Sequence, residues 1–132
     1  MPQATQPTDL HQRRDAWIAR VRQAFAEIAE WARAEGWQVN EDQKTIQERI
    51  IGSYQVPVLA IHLPGGDIEI DPVGFHVMGA EGRIDVRGFP TLSRVSLIGS
   101  SNAWTIMTDS NVPIRQPWNH QTFVQLAHDL LA

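Results

Sequence analysis

No cysteine occurs anywhere in the 132-residue chain. That absence removes disulfides, thiolate nucleophiles and cysteine-based zinc sites together. Lysine is nearly missing too: Lys44 stands alone against ten arginines. Arginine is the residue suited to bidentate carboxylate pairs. There is no basic excess, since the net charge is −4 with a pI near 5.6. Phosphate neutralisation supplies much of the affinity for nucleic acid, so nucleic acid is not the expected partner. No apolar run approaches the ~20 residues of a membrane span. Met1 to Thr8 are polar and lack the apolar core of a secretion signal. No membrane partner is expected, and a cytoplasmic location is the default expectation.

Catalytic signatures are missing as well. There is no G-x-S-x-G elbow. The glycines fall at turns between strands and do not open a helix, as a phosphate loop requires. The serines sit in strands and turns, where serine is ordinary. His120 and His128 lie about 80° apart on a helix, so they do not form a metal-binding pair. His62 and His76 meet only if their strands are neighbours. No cofactor is expected.

What remains is the make-up of one folded domain, with 42% hydrophobic and 20% charged residues. Residues 1–8 read as a loose tail and 9–132 as a single domain. Leu10, Trp17, Val21, Phe25, Ile28, Trp31 and Ala32 share one stripe of a helix over 9–35, about 40 Å long. Asp9 with Gln12 resembles a capping box, and Gly36 stands where a helix takes its left-handed stop.

From Trp37 the period changes to two. Trp37–Val39 reads as a short edge strand, and 44–51 is ambiguous between strand and helical turn, with strand preferred. Gln55–Leu63 is a strand in which Pro57 points to an edge position or a strand start. Pro64-Gly65-Gly66-Asp67 is a turn. Ile68 and Ile70 alternate with Asp67, Glu69 and Asp71, and Ile84 and Val86 alternate with Arg83, Asp85 and Arg87: two half-buried strands. Between them, Phe75–Met78 is a short apolar segment and Gly79–Gly82 a turn. Ser93–Ile98 and Trp104–Thr108 form a hairpin. Ser110–Pro117 is an irregular connector, and Asn119 caps a last helix. Helix, five to seven successive strands, helix predicts an α+β fold. Both helices pack on one face of a twisted, mainly antiparallel meander.

Two chemistries compete for the charged strands. Period two puts Asp67, Glu69 and Asp71 on one face and Arg83, Asp85 and Arg87 on the next. Asp71 followed by Asp85-Val86-Arg87 has the outline of a restriction-type nuclease site, in which Asp71 and Asp85 hold Mg²⁺ and Arg87 orients a water. The outline departs from that pattern by having Arg where Lys is usual, in an acidic chain. The other reading is a set of cross-strand ion pairs on a solvated face, with no metal.

Five tryptophans are many for this length. Trp17, Trp31 and Trp104 read as core. Trp118, after Arg115 in the proline-held connector, is either a staple under the last helix or an interface anchor. The reading that absorbs most of these observations is a non-catalytic protein-interaction domain, an accessory, toxin-neutralising or chaperone-like partner. It binds a protein or a second copy of itself through Asp67, Glu69, Asp71, Arg83, Asp85, Arg87, Arg115 and Trp118. A metal-dependent hydrolase is the alternative, and a tryptophan-lined pocket between helix and sheet the third.

Overall fold

The computed structural model describes residues 7–77, 80–100 and 103–132. Its elements run α1 (Pro7–Ala34), β1 (Gln38–Glu48), β2 (Gly52–Leu63), β3 (Gly66–Val77), β4 (Ala80–Phe89), β5 (Arg94–Ser100), β6 (Ala103–Thr108), β7 (Pro113–Ile114) and α2 (His120–Leu131). The seven strands form one sheet in sequence order, every neighbouring pair antiparallel. The predicted α+β meander is therefore the observed fold, at the upper end of the expected strand count.

α1 begins at Pro7, where a loose tail was expected; residues 1–6 lie outside those described. Its end is set by Gly36 at φ +83. Gly36 N–H donates to Arg33 O at 2.9 Å and Trp37 N–H to Ala32 O at 3.0 Å, the paired bonds of a Schellman stop. α2 starts at Asn119, whose side chain accepts from Thr122 N–H. Trp17, Val21, Phe25 and Ile28 of α1 and Phe123 of α2 are at most 2% exposed. They press on Leu59, Ile61, Ile68, Ile70, Ile84, Val86, Leu97 and Ile106, the alternate residues of the central strands. Each such side chain contributes about 1.5–3 kcal/mol on burial. The opposite alternation of β3, β4 and β5 carries the charges, and among the described residues no helix covers it.

Several boundaries differ from those expected. The segments expected at 37–39 and 44–51 fall in one strand, β1, paired with β2 without interruption from Gln38 to Glu48; Trp37 precedes it, and 49–51 form the turn to β2 instead of strand. Its middle, Asn40–Gln43, is exposed on both faces, so it has no apolar alternation to read. Phe75 and Val77 close β3 and do not form a separate strand; Met78 and Gly79 lie outside the described residues. Ala80–Gly82, expected in a turn, belongs to β4. The hairpin after Ser100 includes Ser101 and Asn102, also outside them.

Pro57 corrects another expectation, because it lies inside β2, between β1 and β3. The β2–β3 ladder ends at Leu59 opposite Ile70. Two residues further, that register would set Pro57 against Pro72, and neither proline has an N–H to donate. The strands part here, and burial along β2 changes parity: Tyr54 and Val56 are buried below the break, Leu59, Ile61 and Leu63 above it.

Candidate functional site

The break is closed by a polar cluster. The Trp17 indole N–H donates to the Tyr54 hydroxyl at 3.0 Å, and that hydroxyl donates to a Glu48 carboxylate oxygen. The same oxygen accepts the Phe75 backbone N–H at 3.1 Å. Burial, then the hydrogen bond to Glu48 and its charge, push the Tyr54 phenol well above its ordinary 10.0. Helix and sheet are tied together here through a group that stays neutral.

The uncovered face carries a larger network, centred on β4. Asp71 and Asp85 are direct partners across β3 and β4, as are Glu69 and Arg87. On the other side Asp85 faces Ser96, and Arg87 faces Arg94. Arg83 Nε and Nη2 donate to Asp85 Oδ1 and Oδ2 at 2.8 and 3.2 Å. Arg87 Nη2 reaches Asp85 Oδ2 at 3.2 Å, while its Nη1 reaches Asp71 Oδ2 and Glu69 Oε1, each at 3.2 Å. Ser96 Oγ donates to Asp85 Oδ1 at 2.8 Å. Arg94 lies 3.7 Å from Asp85 and binds Asp109 at 2.6 Å. Lys44, the sole lysine, reaches across β2 to Asp71 at 2.5 Å.

Asp85 was expected in water and is not: the residue is 2% exposed. Three guanidinium groups and a serine hydroxyl wrap it. Burial pushes its carboxyl up, but the hydrogen bonds of Arg83 and Ser96 and the charges of Arg83 and Arg94 outweigh it and hold the group below its ordinary 3.8. Arg87 is likewise held in its charged form: burial works against the charge, and the bonds and charges of Asp71, Asp85 and Glu69 prevail. The flanking arginines are about a third exposed.

The predicted site residues divide into two groups. Glu69, Asp71, Arg83, Asp85 and Arg87 converge on this face. Asp67 shares their alternation but pairs separately with His62 at 2.7 Å, and the same ring's other nitrogen stands 3.1 Å from Asn40 Nδ2. Arg115 and Trp118 precede α2. Trp118 packs edge-on to Trp31 at 5.7 Å and to Phe123 at 6.0 Å, as a staple among the helices. Arg94, Ser96 and Lys44 were missed. Arg94 and Ser96 carry the same two-residue alternation as the rest, opposite Arg87 and Asp85, so the signal was present in the sequence of β5. Lys44 gave none, because its reach across β2 to Asp71 depends on the register of β1, which the unread stretch Asn40–Gln43 left open.

Among the described residues no group of three or more carboxylates and histidines is placed to hold a metal ion. Between Asp71 and Asp85, where the nuclease outline would seat one, lies the guanidinium of Arg87. An open groove of about 710 Å³ runs between α1 and the connector, bordered by Ala24, Trp104 and Trp118, with Arg20 stacked 4.7 Å over the Trp104 ring. No described helix is long and apolar enough to cross a membrane. No family model, curated protein or solved structure matches the chain.

Proposed function

We propose that this chain is a non-catalytic protein-interaction domain, an accessory partner of the toxin-neutralising or chaperone-like kind, with the uncovered sheet face as its docking surface. The observation that carries this reading is the engagement of Asp71 and Asp85. Arg87 bridges them, and Arg83, Ser96 and Lys44 take up their remaining oxygens. Groups so paired are poor bases and poor metal ligands, but they form a rigid surface of both charge signs. Arginines in the middle and Glu69 and Asp109 toward the flanks suit a protein surface with acidic groups central and basic groups at its rim. Arg115 and Trp118 stay with the helices, and the proposed surface is drawn without them.

The test compares the wild-type chain with a Glu69→Ala/Arg94→Ala variant whose circular dichroism is unchanged. Stoichiometric capture of the same protein from native-host lysate by the wild type, lost in the variant, supports the reading. Equal capture by both overturns the assignment of the face. Mg²⁺-dependent nucleic-acid cleavage that Asp71→Asn abolishes overturns the reading as a whole, in favour of the hydrolase.

A further inference from the structure

The two edges of the sheet are unlike. β7 is two residues long and contains Pro113, both devices that blunt an edge. β1 is eleven residues long, lacks proline, and follows β2 without a bulge. Asn40–Gln43, Thr45 and Gln47 are exposed.

The direction of its backbone groups follows from its pairing with β2. Opposed residues of an antiparallel pair either exchange both bonds or neither. Gln43 is opposite Pro57, which has no N–H, so this pair exchanges none. Gln43 N–H accordingly turns away from β2 and donates to Asp42 Oδ1 at 2.9 Å. By alternation Val39, Glu41, Gln43, Thr45 and Gln47 all present their backbone groups to the free edge.

A second copy related by a twofold axis through the sheet keeps each face on its own side. Odd residues then oppose odd and even oppose even. Of these registers, the one that pairs the whole strand is centred on Gln43, with Gln38 opposite Glu48. It sets Asp42 opposite the other copy's Lys44, twice by symmetry. Centring on Glu41, Asp42 or Lys44 sets a charge against its own copy, and centring on Thr45 opposes Asp42 to Glu48.

We infer that β1 pairs antiparallel with β1 of a second copy in this register, joining two sheets into one. In the single chain the Asp42 carboxylate serves Gln43 N–H. In the pair that N–H passes to the other copy's backbone, and Asp42 is released to share the other copy's Lys44 with the Asp71 that Lys44 already binds. The inference rests on the interaction-domain reading and names one partner for it.

Sedimentation equilibrium of the full chain tests it. The wild type is expected to be a concentration-dependent dimer. Gln43→Pro removes only an outward N–H, which an edge strand tolerates, so it should keep the wild-type circular dichroism and halve the mass. An Asp42→Lys chain, which leaves Lys44 on Asp71, should be monomeric alone, because two ammonium groups then oppose each other across the pair, twice by symmetry. A wild type that stays monomeric to millimolar concentration, or a Gln43→Pro chain that dimerises undiminished, overturns it. A monomer that still captures a protein through Glu69 and Arg94 sinks the self-pairing alone. A dimer that captures nothing leaves the pairing standing and sinks the docking face.

Discussion

Asp71 and Asp85 stand directly opposite each other on adjacent strands, and the Arg87 guanidinium bonds one oxygen of each at 3.2 Å. Like charges opposed across a ladder repel, so the bridge turns a liability into a tie. Arg87→Met should therefore cost more than the loss of one ion pair. The expected loss is about 1–2 kcal/mol in urea unfolding, discounted because Arg87 is partly exposed. Asp71→Asn in the Arg87→Met background should recover part of it, giving a measurable coupling in the double-mutant cycle.

Asp85 gives the network its pH dependence. The fold holds this carboxyl below its ordinary 3.8. The stabilisation is thus fully present above that value and is lost as pH falls through the lower folded one. Asp85→Asn should cost about 2–3 kcal/mol at neutral pH, less than for a fully buried pair because the arginines reach solvent. The gap to wild type should close progressively below about pH 4. A gap that is constant with pH would show that the carboxylate charge contributes nothing.

Tyr54 acts at the other end of the scale, and as the sole tyrosine it can be followed alone. Its folded value is raised above 10.0 by burial and by the Glu48 carboxylate. Its contribution to stability is fully present below that ordinary value and is lost as pH rises above it. The phenolate absorbance should appear together with the loss of far-ultraviolet circular dichroism, not before it. Tyr54→Phe should flatten the alkaline limb of the stability curve at a cost of about 1 kcal/mol at neutral pH. Phenolate forming in the folded chain near the ordinary value would contradict the Glu48 contact.

What the sequence made legible follows from where water lies. Ile68 and Ile70, and Ile84 and Val86, alternate with charges because their strands have one dry face and one wet one, so both strands and the charged face could be read. Of β1 only the two ends could be read, because Asn40–Gln43 between them are wet on both faces. The burial of Asp85 was invisible for another reason. It depends on Arg83 and Arg87 of its own strand and on Arg94 and Ser96 of the next all folding toward one carboxylate, a matter of register and not of pattern. Pro57 misled because a proline is harmless in an inner strand once the neighbouring ladder has ended.

Gly82, expected in a turn, is a packing residue. It lies in β4 at φ +110, and a Cβ there would stand 2.6 Å from Trp17 Cε3 and 2.7 Å from Cη2. Trp17 is 1% exposed and held by its bond to Tyr54, so the ring has nowhere to go. Gly82→Ala should then carry two costs, overpacking and the positive φ, together about 2–4 kcal/mol. Gly65 separates them. Its φ is +102, but nothing lies within 4 Å of the Cβ it would gain, so Gly65→Ala carries the backbone cost alone, about 1–2 kcal/mol. The difference between the two variants in thermal or urea unfolding measures the clash with Trp17. Trp17→Leu should shrink that difference, since it removes the ring but not the φ. Equal losses for the two glycines would mean that α1 shifts freely over the end of the sheet, and that the Trp17–Tyr54–Glu48 chain does not fix the helix in place.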